Sequence, residues 1–394
     1  QLSSDSFSSC VQMASSPSSS DNRTFTITPS PKTFYSTTYK IRVTTAAEDS
    51  AGNNIAQSTQ TYGFKTSVTF PMTAGSAHSC YMLDNGSVKC WGSNTYGQLG
   101  LGNTTNQGVN SSEMGDNLDA VDLGSGIKAT AIAAGGNHTC AILDNESIKC
   151  WGYNASGQLG LGNTTNQGVN SNEMGDNLDA VDLGSGIKAT AIAAGGNHTC
   201  AILDNESIKC WGKNASGQLG IGNTNNRGDG SNPMGDSLPV VDLGSERTAK
   251  VIVAGGSHTC TILDDSSIKC WGENDQGQLG LGNTTDSPNA SLVDMGSGIT
   301  AKAIAAGESH TCAILNNSAI KCWGRASEGQ IGLIKGDNNI GDGVGEMGVE
   351  ESKLAKMGTG RTATAIAAGK YHNCAILDNS SIKCWGANAS GQLG

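Results

Sequence analysis

The chain is short of charge, of aromatic side chains and of long apolar runs. Asp, Glu, Lys and Arg make up only 15% of its 394 residues, against roughly a quarter in an average soluble protein. Gly, Asn, Ser and Thr take their place, so the surface is polar yet mostly uncharged. Aromatic residues reach 5%, which leaves a core built largely from Ala, Ile, Leu and a few Trp. The longest apolar stretches, such as Ala129 to Ala134, fall far below the about 20 residues a membrane-spanning helix needs. No membrane span is expected within the chain. Basic residues are the scarcer charge: up to residue 67 there are five Lys/Arg and four Asp/Glu, which leaves 19 against 31 for the remainder. That balance argues against nucleic-acid binding, which draws its affinity from clustered Lys and Arg.

What the chain does have is a repeat. Six times a His stands two residues before a Cys, and after nine intervening residues comes Cys-Trp-Gly, the units beginning at His78, His138, His198, His258, His310 and His372. The steps are 60, 60, 60, 52 and 62 residues, and the units account for all six His and all six Trp. A period of this length marks a solenoid, a propeller or an array, because each unit needs neighbours to bury its apolar face. Composition changes once, near residue 67, so residues 1–67 are expected to form a leading domain and 68–394 a repeat domain. The chain opens at Gln1 and stops at Gly394 inside a repeat, and is read as a fragment or a processed piece. Residues 97–152 and 157–212 differ only at Ser112 against Asn172, so two units offer the same surface twice.

One unit shows the local logic. Ala129-Thr-Ala-Ile-Ala-Ala134 followed by Gly135-Gly136 suits a short inner strand where backbones crowd together. His138 to Leu143 alternates, as does Ser147 to Trp151, and Asp144-Asn145-Glu146 supplies turn chemistry between them. With Asn145 at the apex of a three-residue hairpin loop, Cys140 falls opposite Cys150 and Ile142 opposite Ile148 on the same face. Opposed Cys on neighbouring strands can reach the short Cβ separation of a disulfide. The pairs expected are Cys80 with Cys90, Cys140 with Cys150, Cys200 with Cys210, Cys260 with Cys270, Cys312 with Cys322 and Cys374 with Cys384. Cys10 is left over. Each bridge contributes roughly 2 to 3 kcal/mol in the chain-entropy model. Such a framework places the protein outside the reducing cytosol, secreted, at the cell surface or in the periplasm. Three or four short strands per unit with no helical periodicity describe a propeller blade.

The string Ala-Gly-Gly-x-His-Thr-Cys-Ala-Ile-Leu, Ile-Lys-Cys-Trp-Gly, Asn-x-x-Gly-Gln-Leu-Gly-Leu-Gly closely resembles the regulator of chromosome condensation repeat family. Gly-Gln-Leu-Gly starts at Gly97, Gly157, Gly217, Gly277 and Gly391, and Gly-Gln-Ile-Gly at Gly329. The resemblance implies an all-β protein, a β-propeller with six visible units and seven blades when complete. The leading segment, with Phe25 to Thr28, Tyr39 to Val43, Asp49-Ser-Ala-Gly-Asn53 and Tyr62 to Thr66, resembles part of a bacterial immunoglobulin-like domain, and implies a small β-sandwich fragment.

No catalytic constellation is visible: the His residues recur at one framework position, and no lone Ser, Cys or carboxylate pairs uniquely with one. A zinc site would have only three ligands per unit where structural zinc takes four, so neither metal nor cofactor is expected. Arg227-Gly-Asp229 is an integrin-type tripeptide, but it stands where two other units have Gln-Gly-Val, as ordinary loop drift would produce. Asp337 to Gly343 lacks the ligand rhythm of a calcium loop. The informative variation follows each Trp-Gly: Ser93, Tyr153, Lys213, Glu273, Arg325 and Ala387 stand in turn on a constant frame. A recognition surface would look like that, and so would a tolerant loop tip. The expected function is a non-catalytic binding or display scaffold for a protein or surface glycan. The alternatives are guanine-nucleotide exchange on a small GTPase, which the resemblance suggests, and propeller-type inhibition of a secreted enzyme.

Overall fold

The computed structural model describes residues 72–394 except 233, 334–337 and 351–352, together with residues 2–3, 38–43, 58–59 and 64–65 of the leading segment. The chain divides into two compact units, Gln1–Phe70 and Pro71–Gly394. In the first, strand Thr38–Val43 pairs antiparallel with Leu2–Ser3, Ser58–Thr59 and Phe64–Lys65. Phe25 to Thr28, Asp49 to Asn53 and Cys10 lie outside the described residues.

The second unit is a β-propeller of six antiparallel sheets, one per repeat, which we number as blades 1 to 6. Blade 2 consists of an inner strand Ala129–Ala134, a middle strand His138–Leu143 and an outer strand Ile148–Gly152. The others repeat this plan, with middle strands His78–Met82, His198–Leu203, His258–Leu263, His310–Leu315 and His372–Leu377. Blade 4 adds a fourth strand, Ser287–Leu292. In blades 1, 2, 3 and 5 the fourth position is touched, among the described residues, only by isolated bridges such as Gly152 to Gln167.

The hairpin register is the expected one in every blade. Ile142 faces Ile148 and Cys140 faces Cys150. At the same register Cys80 faces Cys90, Cys200 faces Cys210, Cys260 faces Cys270, Cys312 faces Cys322 and Cys374 faces Cys384. All six pairs are joined as disulfides. In Cys80–Cys90, Cys140–Cys150, Cys200–Cys210 and Cys260–Cys270 the Cα atoms are 4.1 Å apart. In Cys312–Cys322 and Cys374–Cys384 they are 4.0 Å apart. The turn of blade 2 closes through Leu143 N–H to Ser147 O and Glu146 N–H to Leu143 O, both 2.9 Å. Its third residue is left-handed, with φ of 66° at Glu146. This is the three-residue hairpin loop of a type I turn followed by a left-handed residue.

Period-two alternation then decides what lies between blades. His138, Cys140 and Ile142 point to one face of the middle strand, and Thr139, Ala141 and Leu143 to the other. The first set of each blade packs against the second set of the next: Cys140, Ile142, Ile148 and Cys150 meet Ala201, Leu203 and Trp211 in one buried cluster. The disulfides of blades 1 to 5 are therefore part of the interfaces between blades, and Trp151, Trp211, Trp271 and Trp323 are fully buried there. On the forward face of blade 6, where no further sheet lies among the described residues, Ile376 and Ile382 are 43% and 70% exposed.

The inner strands end at a shared axis. Residues of all six blades, including Gly75, Gly135, Gly195, Gly255, Gly307 and Gly369, line a channel of about 520 Å³. Glycine is required at that position: a Cβ on Gly135 would stand 2.3 Å from His138 Cε1 and 2.5 Å from the Gly195 carbonyl oxygen.

Candidate functional site

The loop after each Trp-Gly is a rigid, repeated device. In blade 2, Asn154 Oδ1 accepts from Leu159 N–H at 3.0 Å while its Nδ2 donates to the Asn163 carbonyl at 3.0 Å. Gln158 Oε1 takes the Ser156 N–H at 2.9 Å. The Gln158 backbone carbonyl then enters blade 3, where it accepts from Thr199 Oγ1 at 2.9 Å and from Trp211 Nε1 at 3.0 Å. The same two contacts recur from Gln98, Gln218 and Gln278. Asn154-Ala-Ser156 also reads as an N-glycosylation sequon, but the fold consumes it, since the Asn154 side chain is fully buried.

The His of each unit completes the joint. Nε2 of His78, His138, His198 and His258 lies 2.9 Å from Oγ1 of Thr139, Thr199, Thr259 and Thr311 in the next blade. Since each Thr proton is committed to a Gln carbonyl, the hydroxyl accepts, and the imidazole carries its proton on Nε2. At the last joint Asn373 replaces Thr: its Oδ1 accepts from His310 at 3.0 Å and its Nδ2 donates to the Gln330 carbonyl at 2.7 Å. Burial holds the imidazole pKa down to about 3 in His138, His198 and His258 and to about 4 in His78 and His310. These are neutral structural groups. The Cys sulfurs beside them are spent in disulfides, and among the described residues no three His, Cys, Asp or Glu side chains gather as a metal set. Arg227 to Asp229 does not protrude: Gly228 is buried, with a would-be Cβ 2.6 Å from the Gly157 carbonyl oxygen.

The frame sets out one variable residue per blade. The backbone N–H of Ser93, Tyr153, Lys213, Glu273, Arg325 and Ala387 donates to the carbonyl of the residue just before the His, namely Ala77, Asn137, Asn197, Ser257, Ser309 and Tyr371, at 2.8 or 2.9 Å. All six are half-buried and stand at the blade end where inner and middle strands connect, forming a rim. Their chemistry differs from blade to blade. Tyr153 packs its ring 4.7 Å from that of Tyr96. The Glu273 carboxyl is pushed up by burial and by the neighbouring carboxylates of Asp275, Asp286 and Glu308, against a smaller opposite pull from Lys213. Arg325 lies 5.1 Å from the centroid of the Tyr371 ring, as does Lys370 Nζ. Tyr96, Glu308, Lys370 and Tyr371 were not among the residues expected from the sequence. The signal for two of them was there, because Glu308 and Lys370 stand where blades 2 to 4 have Gly136, Gly196 and Gly256.

Comparison with known proteins agrees with this architecture. Sequence models of the regulator of chromosome condensation (RCC1) repeat match residues 72–98, 129–158, 189–218, 250–278, 301–330 and 363–392, and a second such model matches 210–262 and 270–314. The chain belongs to the RCC1 repeat family. A bacterial Ig-like domain model matches residues 2–66. The ultraviolet-B receptor UVR8 of Arabidopsis thaliana is 28% identical over 326 residues, which is 82% of this chain and 66% of the receptor. The E3 ubiquitin-protein ligase HERC2 of Homo sapiens is 24% identical over 79% of this chain and 6% of the ligase. The chain therefore spans less than two thirds of either relative. Among solved structures, yeast RCC1 (Prp20), crystallised bound to Kap60, superposes with a TM-score of 0.63 at 19% identity, covering 80% of this chain and 69% of that one. Human WBSCR16 superposes with a TM-score of 0.61 at 17% identity, covering 82% and 78%. These likenesses concern the fold.

Proposed function

We propose that this RCC1-repeat propeller is a non-catalytic binding scaffold that works outside the reducing cytosol, secreted or at a cell surface. Residues 1–67 act as a separate module, and the rim of Ser93, Tyr153, Lys213, Glu273, Arg325 and Ala387 is the face that meets a protein or surface glycan. The observation that carries this reading is the contrast at the rim, where one backbone hydrogen bond recurs six times under six different side chains. A position held this constantly in the main chain and varied this widely in size and charge suits recognition. Six disulfides and the Ig-like match to residues 2–66 support the extracellular setting, and among the described residues no helix is long and apolar enough to cross a membrane. Nucleotide exchange on a GTPase has only the shared fold behind it. Inhibition of a secreted enzyme would use the same face and differ in the partner alone.

The test is capture of binding partners on the immobilised, oxidised chain, comparing wild type with a Tyr153→Ala, Lys213→Glu, Arg325→Glu triple variant. Loss of the same captured species in the variant, with an unchanged melting temperature, is expected. Identical capture by both proteins would sink the assignment of the rim.

A further inference from the structure

The side-chain amide of the rim Gln has a settled direction in every blade, because its oxygen is taken by a backbone N–H two residues earlier. Its nitrogen then needs an acceptor. In blade 2, Gln158 Nε2 donates to Asn197 Oδ1 at 3.3 Å. In blade 4, Gln278 Nε2 donates to Glu273 Oε2 and Asp275 Oδ1, both at 3.3 Å. Blade 5 departs from this. Gln330 is fully buried, its Oε1 accepts from Glu328 N–H at 2.8 Å, and among the described residues its Nε2 has no partner. The positions that supply acceptors elsewhere are here Arg325 in place of Glu273, Ser327 in place of Asp275 and Tyr371 in place of Asn197. Ser327 Oγ is already occupied by Arg325 Nε at 2.7 Å. Lys370, the residue before Tyr371, adds a second cation 5.1 Å from the same ring.

This corner of the rim, beside the channel that Lys370 and Tyr371 help to line, is rich in donors. Among the described residues the carboxylate that pairs with Arg325 is Glu328, 45% exposed and at the long separation of 4.0 Å. Glu308 turns the other way, with its carboxyl carbon 2.9 Å from where a Cβ on Gly256 would stand. Gln98 Nε2 in blade 1 is also unpartnered among the described residues, but there Ser93 and Gly136 stand at the positions of Arg325 and Lys370. Buried polar nitrogens without acceptors are rare enough in folded proteins to need a cause. Gln330 shares its loop with Arg325, and its carbonyl accepts from Asn373, two residues past Tyr371; an unpaired amide N–H in a corner that also holds a guanidinium and an ammonium matches a group with two anionic oxygens.

We infer that Arg325, Gln330 and Lys370, held by the Tyr371 ring, form a carboxylate-binding site for a partner polypeptide. The carboxylate comes from an Asp or Glu side chain or from a free C-terminus. This inference rests on the rim being the binding face.

The experiment uses the whole oxidised chain and fluorescein-labelled Gly-rich peptides followed by anisotropy at low salt. One peptide carries Glu with an amidated end, one carries Gln with a free C-terminal carboxylate, and one carries Gln with an amidated end. Tighter binding of either acid peptide than of the fully neutral one is expected, and which of the two binds names the source. Arg325→Gln and Lys370→Gln should each weaken that binding by about tenfold, the usual loss for a charge-assisted hydrogen bond. Gln330→Met should weaken it without lowering the melting temperature. Lys302→Gln, an equal charge change on an exposed inner-strand residue, should leave it unchanged. Equal affinity for all three peptides, or unaltered affinity in both cation variants, overturns the inference. If that happens while rim variants still lose their captured partners, only the carboxylate site fails and the scaffold reading stands.

Discussion

Nε2 of His138 lies 2.9 Å from Oγ1 of Thr199, across a blade boundary and 61 residues further along the chain. Thr199 donates its own hydroxyl hydrogen bond to the Gln158 carbonyl, so three residues from two blades form one directed relay. Thr199→Val keeps the shape, strands a buried imidazole N–H and should cost about 1–3 kcal/mol. At the last joint Asn373 performs both parts of the relay, so Asn373→Thr should be tolerated while Asn373→Leu is not. Urea unfolding of the three variants checks this, with Asn373→Thr expected close to wild type.

Acid should loosen the propeller earlier than its carboxylates alone would dictate. Five imidazoles titrate at about 3 or 4 in the folded state because they are buried, against about 6.5 in an unfolded chain. Above about pH 6.5 both states are neutral and the His contribution is fully present. As pH falls from there towards 4 and 3, the unfolded chain takes up protons that the folded one refuses, so stability declines by about 1.4 kcal/mol per pH unit for each His. Melting temperatures measured from about pH 7.5 down to 4 should drop steadily through this window. In His138→Gln the slope should be smaller by about one proton, and an unchanged slope would contradict the buried-neutral assignment.

Each disulfide closes a hairpin with a sequence separation of 10, worth roughly 2 to 3 kcal/mol in the chain-entropy model. The bridge between Cys140 and Cys150 also fills an interface between blades, so Cys140→Ala with Cys150→Ala should cost at least that much and lower the melting temperature. Alkylation of unreduced protein followed by mass spectrometry should leave all twelve repeat Cys unlabelled. Twelve labelled thiols would place the protein in a reducing compartment.

The hairpin turns hold a small reserve of stability. Ser266 occupies the left-handed position with φ of 64°, where blade 1 has Gly86 at 81°. An L residue pays about 1 kcal/mol there relative to Gly. Ser266→Gly should therefore raise the melting temperature slightly. Gly86→Ala should lower it, since the added Cβ would stand 2.8 Å from Lys128 Cβ.

The sequence by itself determined the unit: alternation on two strands, a turn of fixed length between them, and hence which Cys faces which. Those are contacts within about ten residues, and period two together with loop length leaves one register that buries the apolar face. It also marked the six rim positions, because a variable residue after a constant Trp-Gly is visible without coordinates. Only the tertiary structure decided that His138 meets Thr199, that the Gln158 carbonyl receives Thr199 and Trp211, and that Lys370 and Arg325 share the ring of Tyr371. Four of the six repeats carry the same His-Thr pair, so its pairing across a boundary depends on how one sheet is rotated onto the next. No local pattern encodes that rotation, and the same holds for the unpaired nitrogen of Gln330, which only its neighbours in space distinguish from Gln158 and Gln278.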